Sequence, residues 1–255
     1  MITTTELTRD REIALNESLA RRHFDRRLFM AAAIAFPLIV LAGFGRTYYF
    51  KGFFDVPPLA SALVHLHGVL MTTWVALFVT QVWFISSRRV RVHQRLGYGA
   101  IGLAVLIIAV GFVTAIRAAK FGAASTPPGV SPVAFLIVPL FDLVMFTILF
   151  GGAIYYRKKP AQHKALMLLT AVNFVPPAIA RIPIAALQGA GPLWFFGFPT
   201  AIALLCLGLE TWRHGRLNRV FLAGTLLLIA SYVVRLVIMP TAAWMQIAGW
   251  LTSFV

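Results

Sequence analysis

The stretch VAFLIVPLFDLVMFTILFGGAIYY, residues 133–156, carries one charged side chain, Asp142, in a run that is otherwise apolar, aromatic or small. A helix rises about 1.5 Å per residue, so roughly 20 such residues cross the ~30 Å hydrocarbon layer of a bilayer. Outward from this stretch, six more of the same kind appear, at 28–46, 60–86 and 95–117 before it and at 164–187, 192–212 and 219–239 after it. All are too long and too continuously apolar for barrel strands, which alternate over about ten residues. Turn-forming groups separate them: Asp55-Val56-Pro57-Pro58, Thr126-Pro127-Pro128-Gly129 and Gly189-Ala190-Gly191-Pro192. The expected fold is all-α, a polytopic membrane bundle of seven transmembrane helices over residues 28–240. An arm, 1–27, precedes it. A segment too short to span, 241–255, follows it, and Trp244 and Trp250 suit a short interfacial helix there.

Composition agrees. Of 255 residues 60% are hydrophobic and 12% charged, with a mean hydropathy of +0.83, whereas soluble domains carry roughly a quarter charged residues. That balance excludes a water-soluble enzyme and a disordered chain, and a single cysteine, Cys206, excludes a disulfide scaffold. The net charge of +15 is a matter of topology. Six Arg lie in the arm, four Lys or Arg in 87–95, four in 157–164 and three in 213–219, while the opposite loops hold Arg46, Lys51, Arg117 and Lys120. This asymmetry places the N-terminus in the cytoplasm and the C-terminus outside, with anionic headgroups as the partner of the basic loops and no need for nucleic acid. The arm lacks the apolar core of a signal peptide, and its mixed charges read as a solvated amphipathic segment.

Ionisable groups inside hydrocarbon are costly and usually functional. Asp142 lies about 14 Å into the fourth span, counted from its outer end. His65 and His67 on the second span, Arg181 on the fifth and Arg235 on the seventh fall in the same outer layer. Asn173, Pro177 and Arg181 share a helical face, as do His67, Met71, Trp74, Phe78 and Gln81 on the second span. These residues, with Tyr232, define an expected pocket: His65, His67, Asp142, Asn173, Arg181, Tyr232 and Arg235. Pro176-Pro177 breaks the helical ladder beside it. The simpler alternatives are snorkelling of the two Arg to headgroups, or one of them neutralising Asp142. Glu210, beside Arg213, reads as an interfacial ion pair.

A second layer, at the basic end, holds His93 and His163 at the starts of the third and fifth spans. Both spans run the same way, so the two imidazoles share one depth, suited to axial ligation of a b-type haem or to a shared metal. The plain alternative is a pair of solvated interfacial histidines.

His67-Gly-Val-Leu-Met71, then His93, Leu96-Gly97 and Val110-Gly111-Phe112, resemble part of the ascorbate-reducible transmembrane cytochromes b over residues 63–116. That resemblance implies haem b ligated by His67 on the outer side and His93 on the inner. Gly68 stands where that family has proline, and the fourth span offers no histidine to pair with His67, so only His93 with His163 completes a pair. Across the whole chain, His65-Leu-His67-Gly68, Gln81, His93-Gln-Arg-Leu-Gly97, His163-Lys-Ala-Leu-Met167 and Pro177-Ala-Ile-Ala-Arg181 resemble a group of bacterial seven-helix inner-membrane proteins that bring no activity with them.

Four functions are compatible with these residues. A membrane redox protein would carry haem b or a divalent metal on His93, His163 and His67, as an oxidoreductase if it is an enzyme. A carrier or receptor would take a small anionic or amphiphilic molecule at Arg181 and Arg235. A metalloenzyme would hold an ion on His65, His67 and Asp142, which needs local unwinding because His-x-His splays the two rings about 200° apart on a helix. A membrane assembly factor would need no chemistry of its own. Oligomeric state leaves no mark on the sequence.

Overall fold

In the structure, a computed structural model, residues 4–57, 59, 61–122, 126–127 and 129–255 are described, with side chains in the arm described only at 9, 11–12, 15–16, 19–20 and onward from 23. Pro58, Pro128 and the side chains of the arm's acids Glu6, Asp10 and Glu17 and of two of its six arginines, Arg21 and Arg22, lie outside these. The described residues form helices joined by turns, with no strand among them.

The elements are α1 Thr4–Phe44, α2 Ala62–Ser86, α3 Val90–Phe121, α4 Pro132–Phe135, α5 Ile137–Tyr155, α6 Pro160–Asn173, α7 Pro176–Ile179, α8 Ala185–Gly189, α9 Phe198–His214, α10 Arg219–Ile238 and α11 Ala242–Thr252. Six helices are long and apolar enough to cross a membrane, which makes the chain a multi-pass membrane protein. The fifth expected span is not one of them. α6 has 14 residues, about 21 Å of rise and short of the hydrocarbon thickness. It stops before Pro176-Pro177, because neither proline has an N–H to give and each ring clashes with the turn before it. The chain resumes as α7 and α8.

The arm is continuous with the first span. α1 runs 41 residues, about 60 Å and twice what hydrocarbon requires, so its N-terminal half projects beyond the spans. At its far end it widens into a π-turn at Gly45–Tyr49. That turn aims Tyr48 at His65 and lets the Tyr49 hydroxyl meet Thr72 Oγ1 at 2.9 Å.

Helix starts carry sequence-encoded caps. Ser61, Ser131, Asn218 and Thr241 accept backbone N–H groups from Val64, Ala134, Phe221 and Trp244, filling donors that a helix start leaves open. α2 pairs with α3 and α5 with α6 as antiparallel hairpins, α1 lies against α2 and α7, and α10 lies against α5, α6 and α9. Gly43 sits directly on the Ala178 carbonyl and leaves no room for a Cβ, so α1 and α7 meet backbone to backbone. The C-terminal segment is more than an interfacial float: Ala248 is buried and the Trp244 indole donates to the Ala134 carbonyl at 2.9 Å, while Trp250 faces outward.

Candidate functional site at the basic end

The two polar layers fare differently. In the outer one, Arg235, 0% exposed, donates through Nη1 to Asp142 Oδ1 at 2.5 Å, with Ser231 Oγ at 3.4 Å from Nη2. Asn173 donates to the Asp142 carbonyl at 2.9 Å. Tyr232 stacks on Phe196 at 4.7 Å between centroids, and the Arg235 guanidinium lies 5.2 Å from the Tyr232 ring. Asp142, Asn173, Tyr232 and Arg235 therefore gather as one buried cluster in which acid and base neutralise each other, while Asn173 Oδ1, the Tyr232 hydroxyl and Arg235 Nε have no hydrogen-bond partner among the described residues.

The remaining members of the expected pocket stand apart. Arg181 donates to the Pro177 carbonyl at 2.6 Å and lies 4.8 Å over Phe44. The break after Asn173 sends it toward α1 while Asn173 faces α5. His67 Nδ1 is buried without a hydrogen-bond partner among the described residues. His65 is exposed and meets Tyr48, whose hydroxyl lies 3.2 Å from Nδ1. Gly68 makes this contact possible, since a Cβ there would come within 2.6 Å of the Tyr48 ring. Among the described residues no three His, Cys, Asp or Glu side chains are placed to share a metal ion. His65, His67 and Asp142 are thus not assembled as a ligand set, because α2 points the two rings apart and Asp142 is spent on Arg235. Glu210 does not pair with Arg213 either: its Oε1 accepts from Asn218 at 3.3 Å.

The basic-end layer is open. α3 and α6 each begin beside a turn and bring His93 and His163 together at 6.2 Å between ring centroids and 82° between planes. Both line a cavity of about 720 Å³, within the roughly 300–1,000 Å³ range of small-molecule sites. Its walls are apolar, with Phe29, Leu77, Phe78, Phe150, Ile154 and Met167, and its floor includes Trp74, edge-on to Phe146 and Phe150 at 4.9 and 5.3 Å. Arg26, Arg88, Lys164, Asp25 and His23 stand among the same lining residues. The cavity is therefore amphiphilic, apolar inside with cations at the basic end.

Each imidazole is held by one nitrogen. His163 Nδ1 lies 2.8 Å from the Ala153 carbonyl. A carbonyl only accepts, so Nδ1 carries the proton and Nε2 keeps its lone pair. His93 Nδ1 lies 2.5 Å from the side-chain amide of Gln81, with that amide's nitrogen turned toward the ring. Across α1, Asp25 receives both Lys164 Nζ and His214 Nε2, the latter at 2.9 Å, and so ties the arm to the start of α6 and the end of α9.

A metal–imidazole bond is about 2.0–2.1 Å and the ring adds about 1 Å, so two rings facing across one ion have centres about 6 Å apart. His93 and His163 match that separation. The sequence placed Gln81 on the polar stripe of the second span without pairing it to His93, and did not place Asp25 in the site. Gln81 is separated from His93 by a tight turn at Ser87–Arg89, so hairpin symmetry about that turn places them opposite each other. Asp25 gave no signal beyond being an acid among arginines. Comparisons with protein-family models, with curated proteins and with solved structures find no match to this chain.

Proposed function

We propose that this chain is a haem b protein of the bacterial inner membrane, with His93 and His163 as the residues that would hold the haem and the N-terminus on the cytoplasmic side. The observation that carries the reading is the pair of imidazoles from different helices, each anchored at Nδ1 and both lining one cavity at ligand-bridging separation. A bare metal ion suits the site less well, because structural sites take about four protein ligands and two are gathered here. A haem brings most of its own ligands and would ask the protein for few, here His93 and His163. The apolar walls suit a macrocycle, and Arg26, Arg88 and Lys164 at the basic end suit its carboxylates. Bound there, haem would supply one-electron redox chemistry; the chain's part is to hold it, exclude water and set its potential through the two imidazoles.

A second reading, a receptor for some other amphiphilic anion, has the same support from the amphiphilic cavity. The visible spectrum of the protein purified in detergent separates the two. Haem ligation predicts a sharp reduced band of a six-coordinate haem after dithionite, lost in His163→Ala. A colourless protein that also stays colourless after incubation with hemin would overturn the haem reading and leave the receptor.

A further inference from the structure

The first helix is held differently along its length. Toward the outer end Gly43 rests on the Ala178 carbonyl, and Phe36 meets Phe78 edge-on at 5.7 Å between centroids. Ala33 and Phe36 are buried, at 2% and 4% exposure. On the basic side of Ala33 no described side chain of α1 is buried. That part nevertheless forms a wall of the basic-end cavity, through Leu19, His23, Asp25, Arg26 and Phe29. Leu28, Phe29 and Ala32 pack against the core half-buried, and the polar tie is one carboxylate. Asp25 accepts from Lys164 Nζ at the start of α6 and from His214 Nε2 at the end of α9, the latter at 2.9 Å. The Lys164 ammonium also lies 5.4 Å from the centre of the Phe29 ring.

Between the two parts stands Pro37, inside α1. It has no N–H, so the bond that would close the ladder onto the Ala33 carbonyl is missing, and bends in long helices concentrate at such prolines. We propose that the basic half of α1 is a hinged wall of the cavity, bending at Ala33–Pro37 and latched to α6 and α9 by Asp25. The lever is long enough to matter. From Ala33 to Leu19 the helix measures about 20 Å, so a bend of about 20° carries Leu19 through about 7 Å. The latch is of modest strength, because its groups keep 22–25% of their side-chain exposure and solvated ion pairs are weak. It holds the wall in place and still releases at thermal rates. A flat, rigid ligand needs such release to enter a cavity lined by α1, α2, α3, α5 and α6. What passes the wall is named by the haem reading; the hinge and the latch stand on their own geometry.

The test places spin labels at two exposed positions, as Ala20→Cys on α1 and Leu217→Cys beyond α9, in a Cys206→Ala background. Pulsed EPR in detergent, on protein prepared without haem, reads their separation. With the latch intact one narrow distribution is expected. Asp25→Asn should broaden it and lengthen its mean by several ångströms. Adding Pro37→Ala, which restores the missing bond to Ala33, should narrow it again. On mixing with hemin, Asp25→Asn should take up and release the ligand up to about fivefold faster, the factor that corresponds to about 1 kcal/mol of latch. The inference is overturned if Asp25→Asn leaves the distribution as narrow as before, or if Pro37→Ala does not narrow the widened one. Hemin rates that stay unchanged while the distribution widens would overturn it too, since the wall would then move without gating the cavity. If neither protein takes up hemin, the haem reading fails, and the EPR distances alone decide whether the wall is hinged and latched.

Discussion

Two groups of buried polar side chains sit in this bundle, and they have opposite fates. Around Asp142 the charges are paired: the carboxylate meets Arg235, Arg235 meets Ser231, and Asn173 donates to a carbonyl of α5, while Asn173 Oδ1, the Tyr232 hydroxyl and Arg235 Nε are buried without a hydrogen-bond partner among the described residues. Around His93 and His163 each ring is satisfied on one side only, and the other side opens into a cavity whose walls are aromatic and aliphatic. A buried charge in lipid is a reason to look for function, but a partner of opposite sign removes the reason. An imidazole pair that lines an open cavity keeps it. Polarity at depth marks both groups, and what separates them is whether opposite charges have already met inside the chain.

The sharpest way to break this contrast is to remove one half of the buried pair. Arg235→Met leaves Asp142 unpaired in the core and should cost about 3–5 kcal/mol, read as a large fall in the unfolding midpoint in detergent. The double variant Asp142→Leu with Arg235→Met should recover most of that loss, since no lone charge remains. If the single variant is as stable as wild type, the pair is not the neutral unit described. A smaller effect is expected at Gly43, whose missing side chain lets α1 rest on the Ala178 carbonyl. Gly43→Val should destabilise by about 1–3 kcal/mol through overpacking and leave the distant His93–His163 pair intact. Thermal unfolding and ligand uptake measured on the same variant check both halves. The smallest effect is expected at the open site's rim. Asp25→Asn removes ion pairs to Lys164 and His214 that are partly solvent-exposed, worth up to about 1 kcal/mol and weaker still at high salt. Unfolding midpoints across a salt series check this.

Hydropathy made the helices legible because lipid imposes one condition on every span, a length of apolar residues with the backbone bonds closed inside the helix. It could not show that the fifth span would fail as a single helix. Pro176-Pro177 marks a weak point, but whether a proline pair bends or severs a helix depends on what packs beside it, here α1 through Gly43. Nor did it show that the arm continues unbroken into the first span, since charged residues are good helix formers and carry no apolar signal. At the sites, depth put His93 and His163 in one layer, because both open helices running the same way, and the structure brings their ring centroids to 6.2 Å. Depth could not choose between Arg181 and Arg235 as the partner of Asp142. They lie in one layer, and the choice is made by the direction each side chain takes, Arg181 toward Phe44 and Arg235 toward α5.

The most direct measurement is haem content per chain, by pyridine haemochrome, in wild type, His93→Ala, His163→Ala, His67→Ala and Asp142→Asn, each first shown to be folded. One haem per chain is expected in wild type, retained in His67→Ala and in whatever folded Asp142→Asn can be recovered, and lost in His93→Ala and His163→Ala. Haem that survives in His163→Ala but disappears in His67→Ala would place the ligand at the outer layer and contradict the assignment of the basic-end cavity.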